Sequence, residues 1–185
     1  MQCKHKKLLL GAGLQSCGST LVSWCFLQRA DVDGVLDAEN DLLPGIDPCL
    51  GRPLAWYKTT IGCFRLRELA EQYCDDGWQV RPLLIIRDVR KVWASLVRKP
   101  YGRNGMTAED PPLRVRLRRF KDDWEWCRRA SVPILRYESL LAQAEATLRS
   151  ACADLELPWD PGMLNWPKNV RQIADARCGN ESFWI

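Results

Sequence analysis

The stretch Leu8–Thr20 reads LLLGAGLQSCGST: three leucines run into glycines and hydroxyls, and the chain continues with helical spacing as STLVSWCFLQR. A short continuous apolar run bounded by glycines predicts a strand buried on both faces. The residues after it predict a turn that opens directly into a helix. Backbone N–H groups at a helix start, with the helix dipole, hold an anion without any charged side chain, and glycine lets the chain approach it closely. Gly13, Gly18 and Thr20 have the spacing of the nucleotide-triphosphate loop, except that Ser19 stands at the position of its lysine. A shorter anion, bound without Mg²⁺, suits such a loop. An ordinary strand–helix turn with Ser19 as its cap is the competing reading.

Four further strand-like runs follow: GVLDA (34–38), PLAWYKT (53–59), PLLIIR (82–87) and VPILRYE (132–138). Helical spacing falls between them, in CFRLRELAEQYC and in DVRKVWASLVRK. In the latter, Val89, Val92, Trp93, Leu96 and Val97 form one stripe and Asp88 is placed to cap it. A longer helix opens at Pro111–Pro112 with an expected inner face of Leu113, Leu117, Phe120, Trp124 and Cys127, and another covers Leu140 to Leu155. Strands alternating with helices predict an α/β fold: one domain over residues 1–185, with a mainly parallel sheet flanked by helices. Ligands of such folds sit beyond the carboxyl ends of the strands. The turn-rich tail from Pro158 to Ile185 is expected to lie over that edge as a flap.

Composition narrows the function classes. A chain of 185 residues, 46% hydrophobic and 27% charged, fits one globular domain. Its basic start, MQCKHKKLLLGAG, has too short an apolar run for a signal segment, and no later run is long enough for a membrane span, so a cytoplasmic protein is expected. Nine cysteines at irregular separations, without a C-x-x-C, read as reduced thiols and not as a metal or disulfide framework. No metal is expected. The single histidine, His5, precedes the first strand and makes a Ser–His or Cys–His hydrolase an unsuitable reading. Between Arg81 and Lys121 twelve Lys/Arg face three Asp/Glu, a local charge of +9, so the remainder of this +4 chain carries −5. The basic residues alternate with core-like positions, which favours a solvated face or a small-anion surface over nucleic acid.

Arg87 ends the fourth strand, and Ser95 follows two helical turns later, within about 11 Å. A planar guanidinium near a hydroxyl suits a second phosphate; Arg87 pairing with a carboxylate or a helix end is the alternative. The acidic run after the second strand places Asp37, Glu39 and Asp41 at alternating positions, on one side if the strand continues, with a solvated turn as the competing reading. Lys58, at the end of the third strand, is either a site cation or a lysine that snorkels from the strand end. Among the nine tryptophans, Trp93 and Trp124 fall on core stripes, while Trp56, Trp159 and Trp166 lie near the inferred cleft as packing or acceptor-stacking groups.

LQSCGSTL, WYKTTIG, LLIIRDVRKVWASL and ILRYESLL, in this order, resemble the sulfotransferases that use 3′-phosphoadenosine 5′-phosphosulfate (PAPS) and release 3′,5′-adenosine bisphosphate (PAP). The resemblance covers most of residues 8–155, is closest to small bacterial-type members, and implies a P-loop nucleotide-kinase-like fold. It implies that Gln15, Ser16, Cys17, Gly18, Ser19 and Thr20 form the 5′-phosphosulfate loop. It places Arg87 and Ser95 at the 3′-phosphate, Tyr137 near the adenine, and Lys168 and Arg171 as late basic contacts. The family's loop lysine or arginine falls on Ser16 here, Thr60 stands at the usual histidine base, and Val89 replaces a common proline. Glycan and tyrosine members that use a glutamate after the second strand point to Glu39 as base, with Asp37 and Asp41 as neighbours. Lys58 would stabilise the leaving phosphate. The implied acceptor is a hydroxyl or amine of a glycan, lipid or small molecule. Competing functions are a P-loop kinase-like phosphotransferase and a non-catalytic nucleotide-binding relative.

Overall fold

Leu8, Leu9 and Leu10 are fully buried because their strand has neighbours on both edges and helices on both faces. The computed structural model describes residues 7–34, 52–62, 64–98 and 113–166. Strand β1 (Lys7–Gly13) is central, paired in parallel with β3 (Leu54–Thr60) on one side and β4 (Gln79–Ile86) on the other. β2 (Val32–Gly34) lies outside β3 and β5 (Ile134–Arg136) outside β4, giving a single five-stranded parallel sheet of order β2-β3-β1-β4-β5. This is the α/β architecture expected from the alternating pattern. The expected second strand, 34–38, begins earlier, at Val32, and residues 35–51 lie outside the described residues.

The period of two along β1 separates two cores. Leu9 joins Trp56, Ile85 and Leu135 on the face covered by α1 (Ser19–Leu27) and α6 (Ala144–Asp154). Leu8 and Leu10 join Tyr57, Leu84 and Ile86 on the face covered by α2 (Leu66–Asp75) and α4 (Leu113–Arg129). Trp56 belongs to the first core: it is fully buried and stacked on Phe26, with ring centroids 4.3 Å apart and planes 6° from parallel. It is therefore a packing residue and not an acceptor platform.

Three helices differ from their sequence expectation. In α3 (Val89–Arg98) only Val92 and Leu96 are buried, while Val89, Trp93 and Val97 face outward. The apolar stripe is wider than the contact this helix makes, and Trp93 is thus not a core residue. The segment expected as one helix from Leu140 is two: α5 (Tyr137–Ala142) and α6, broken at Gln143, whose φ of −145° and ψ of 66° leave the helical region. In α4 the buried positions are Arg116, Asp123 and Cys127, and Leu117 is exposed. Asp123 explains this turn of the helix. Its carboxylate accepts from the backbone N–H of Leu66 (2.8 Å) and of Arg67 (3.3 Å), the first turn of α2. The α2 cap residue, Arg65, gives the helix start no side-chain cap of its own. A helix start buried without acceptors is costly, and Asp123 removes that cost from across the interface.

Candidate functional site

Every strand of a parallel sheet ends on the same edge, and the strand order reverses at β1, so a crevice opens where Gly13 leaves the sheet. The Gly13 carbonyl accepts from Ile61 N–H at 2.8 Å, tying the ends of β1 and β3 together. A Cβ at Gly13 would stand 2.5 Å from both Cys17 Sγ and the Ile85 carbonyl, so only glycine fits. The chain then turns tightly: Cys17 N–H bonds to the Leu14 carbonyl at 3.1 Å, and Ser16 adopts a left-handed φ of 66°. Such a conformation costs a residue with a Cβ about 1–2 kcal/mol. Gly18, at φ 87°, is the cap of α1. It has no side chain to satisfy the first-turn N–H groups, and that turn carries no acidic residue. The positive end of α1 thus faces the crevice without compensation from its own sequence.

Two segments close on this loop from the β4 side. Arg87, next after β4, donates from Nη1 to the Ser16 carbonyl at 3.0 Å, and its guanidinium carbon lies 4.8 Å from the centroid of the Tyr137 ring. Tyr137 opens α5 directly after β5, and its ring lies on Gly18: a Cβ there would be 2.1 Å from the ring. Loop, tyrosine and guanidinium form one stack. Glu138 holds the arrangement by accepting from Asp88 N–H at 3.0 Å. Asp88 caps α3 by accepting from Arg90 N–H at 2.8 Å, and Arg90 holds its carboxyl well below the usual carboxylate range.

From the β3 side, Lys58 is buried on the strand face that also carries Trp56, beneath the loop. Burial pushes the Cys17 thiol up, opposed in part by hydrogen bonds from Ser19 and by the charge of Lys58. The Cys17 side chain is therefore a packed thiol, and its N–H already bonds to Leu14. Helix α4 covers this side of the crevice. Arg116 donates from Nη1 to Gln15 Oε1, Arg119 donates to the Gly62 carbonyl, and a Cβ at Gly62 would touch Arg116 Cδ at 3.4 Å. In the sequence Arg116 belongs to the basic run from Arg81 to Lys121, which reads as a solvated face or a small-anion surface. The signal that finds it is its spacing from Asp123 and Cys127, seven and eleven residues on, which puts all three on one side of the helix.

The structure thus brings Gln15–Ser19, Lys58, Arg87 and Tyr137 to one end of β1. Thr20 is half-buried in the first turn of α1, and Ser95 is half-buried in α3. Asp37, Glu39, Asp41, Lys168 and Arg171 lie outside the described residues. The start of the tail packs away from the loop. Arg29, beyond the far end of α1, donates to the Pro158 carbonyl, and Asp160 accepts from Ala30 N–H. Buried polar atoms around the crevice include Ser16 Oγ, Arg87 Nε, and Nε and Nη2 of Arg116, all without a hydrogen-bond partner among the described residues. Such donors, with an open helix N-terminus, suit a phosphate or sulfonate oxygen. Among the described residues no three His, Cys, Asp or Glu side chains gather to hold a metal ion, and no helix is long and apolar enough to cross a membrane.

No family model matches the chain, and no curated protein matches it in sequence. Its structure is similar to the crystal structure of the mouse sulfotransferase SULT7A1 complexed with PAP, with a TM-score of 0.58 and 11% sequence identity. The similarity covers 85% of this chain and 62% of that one, so the chain spans less than two thirds of that protein's length. At this identity the likeness is one of fold: the single parallel five-stranded sheet with flanking helices is an architecture shared with a PAP-complexed sulfotransferase.

Proposed function

We propose that the chain is a sulfotransferase that moves a sulfuryl group from PAPS to a hydroxyl or amine. The observation that carries this reading is the stack of Gly18, Tyr137 and Arg87 at the open start of α1, on a fold shared with a PAP-complexed sulfotransferase. A nucleotide anionic at both its 5′ and 3′ positions matches a crevice with helix N–H groups at one place and a guanidinium at another. The donor supplies an activated sulfuryl group, and the chain's residues do the rest. The first turn of α1, with Ser16, Ser19 and Thr20, receives the 5′ end; Arg87 and Ser95 receive the 3′-phosphate. A carboxylate among Asp37, Glu39 and Asp41, with Glu39 foremost, takes the acceptor's proton as the acceptor atom bonds to sulfur. The sulfur–oxygen bond to phosphate breaks, its electron pair stays on the leaving phosphate, and Lys58 stabilises the charge that develops there. Positioning and electrostatics dominate such in-line transfers.

Calorimetric titration with PAP and with ATP, each with and without Mg²⁺, tests this reading. Magnesium-independent PAP binding is expected; preference for Mg²⁺–ATP would point to phosphoryl transfer instead. PAP affinity with no transfer to any acceptor in a broad panel would leave a binding protein. Lys58→Met is expected to lower the transfer rate more than it lowers PAP affinity. Equal rates in single-turnover assays would make Lys58 structural.

A further inference from the structure

Among the described residues two arginines are buried almost completely, and they are not alike. Arg29, 1% exposed, is saturated: it donates to both carboxylate oxygens of Asp31 at 2.9 and 2.8 Å and to the Pro158 carbonyl at 2.9 Å. Arg116, 2% exposed, has one hydrogen bond, to the neutral amide oxygen of Gln15, and no carboxylate pairs with it among the described residues. Its Nε and Nη2 have no hydrogen-bond partner among the described residues. A guanidinium held out of water with most of its donors idle is a large desolvation penalty with little return, an arrangement that stability alone does not favour.

Its position gives that penalty a purpose. The run Gly13–Thr20 contains no basic residue, so the loop meets an anion only with backbone dipoles and hydroxyls. Gln15, in that loop, is what Arg116 holds. The Arg116 stem lies against Gly62, beyond the end of β3, whereas Arg87 reaches the same loop from the end of β4 and binds the Ser16 carbonyl. Two guanidinium groups therefore flank the loop from opposite sides, each tethered to it by one bond and each with an unpartnered nitrogen. We propose that Arg116 is a second cation of the 5′ subsite, beside Lys58, donating through Nε and Nη2 to the 5′-phosphate or phosphosulfate, while Arg87 serves the 3′-phosphate. The assignment rests on the nucleotide reading above and adds to it a binding residue delivered by α4, about a hundred residues along the chain from the loop.

The test is a ligand-and-residue cycle by calorimetry on the full chain, with PAP, adenosine 3′-monophosphate and adenosine 5′-monophosphate. The affinity ratio of PAP to the 3′-monophosphate measures what the 5′-phosphate contributes; the ratio to the 5′-monophosphate measures the 3′-phosphate. Arg116→Met is expected to shrink the first ratio by about ten- to a hundredfold and leave the second unchanged. Without ligand, its melting temperature should equal or exceed that of the unaltered protein, because a poorly satisfied buried charge has gone. An unchanged first ratio, or both ratios falling together with a lower melting temperature, would overturn the proposal and make Arg116 structural. Should Arg116→Met not fold, Arg116→Lys keeps the charge but loses the planar fork. A smaller, selective fall in the first ratio is then expected, and no fall overturns the proposal. If the unaltered chain binds no PAP at all, the nucleotide reading itself fails, an outcome distinct from failure of Arg116 alone.

Discussion

At Gly18 two demands meet on one residue: a left-handed backbone and contact with the face of Tyr137. Alanine violates both, because its Cβ is disfavoured at φ 87° and would overlap the ring at 2.1 Å. Gly18→Ala is expected to destabilise the protein by about 2 kcal/mol or more in urea unfolding and to abolish PAP binding. Adding Tyr137→Ala removes the overlap but not the backbone demand, so the double variant should recover part of the stability. Strict additivity of the two changes would show that ring and glycine do not touch in solution. Cys17, one residue earlier, serves the loop by volume: burial pushes its thiol up and it fits against Gly13.

Helix α4 is a connection between elements. Its buried side carries Asp123 for the start of α2, Arg116 for the phosphate-type loop, and Cys127 for the core between α2 and the sheet. Burial raises the Asp123 carboxyl above its ordinary value, against the two backbone N–H bonds that lower it. The folded state therefore holds that proton more tightly than the unfolded state. Stability from this group falls as pH rises from the ordinary carboxylate range through the raised value. Asp123→Asn should flatten that fall in a stability–pH profile, while Asp123→Ala, which orphans two N–H groups, should cost about 1–3 kcal/mol at neutral pH. A profile unchanged by asparagine would show that Asp123 does not titrate in this window. The helix was legible from its spacing, but its orientation was not. Apolar periodicity favoured a stripe through Leu117, whereas two polar side chains with distant partners turned the helix to bury Arg116 and Asp123.

Across the whole molecule, the strand order brings the ends of β1, β3, β4 and β5 to one edge, so a ligand at that edge would touch four separate segments. A ligand that bridges them stabilises the fold as a unit. PAP at a hundred times its dissociation constant should raise the melting temperature by roughly 5–10 °C for a chain of this size. Arg87→Ala should reduce that rise to a few degrees at the same PAP concentration, because it removes a charge-assisted contact worth about 1.5–3 kcal/mol. An undiminished rise would take Arg87 out of the binding site.

Read alone, the amino-acid sequence determined the alternation of strands and helices, the parallel sheet, and the edge at which Ser16–Thr20, Lys58 and Arg87 stand. All of these follow from local rules: apolar runs, helical spacing, glycine turns, and the direction every strand of a parallel sheet shares. Tertiary structure alone decided that Tyr137 lies on Gly18, that Asp123 caps a helix over fifty residues away, and that Arg116 reaches Gln15 from α4. A charged side chain is buried only where a distant backbone group, loop or ligand meets it, and no pattern within one helix contains that partner.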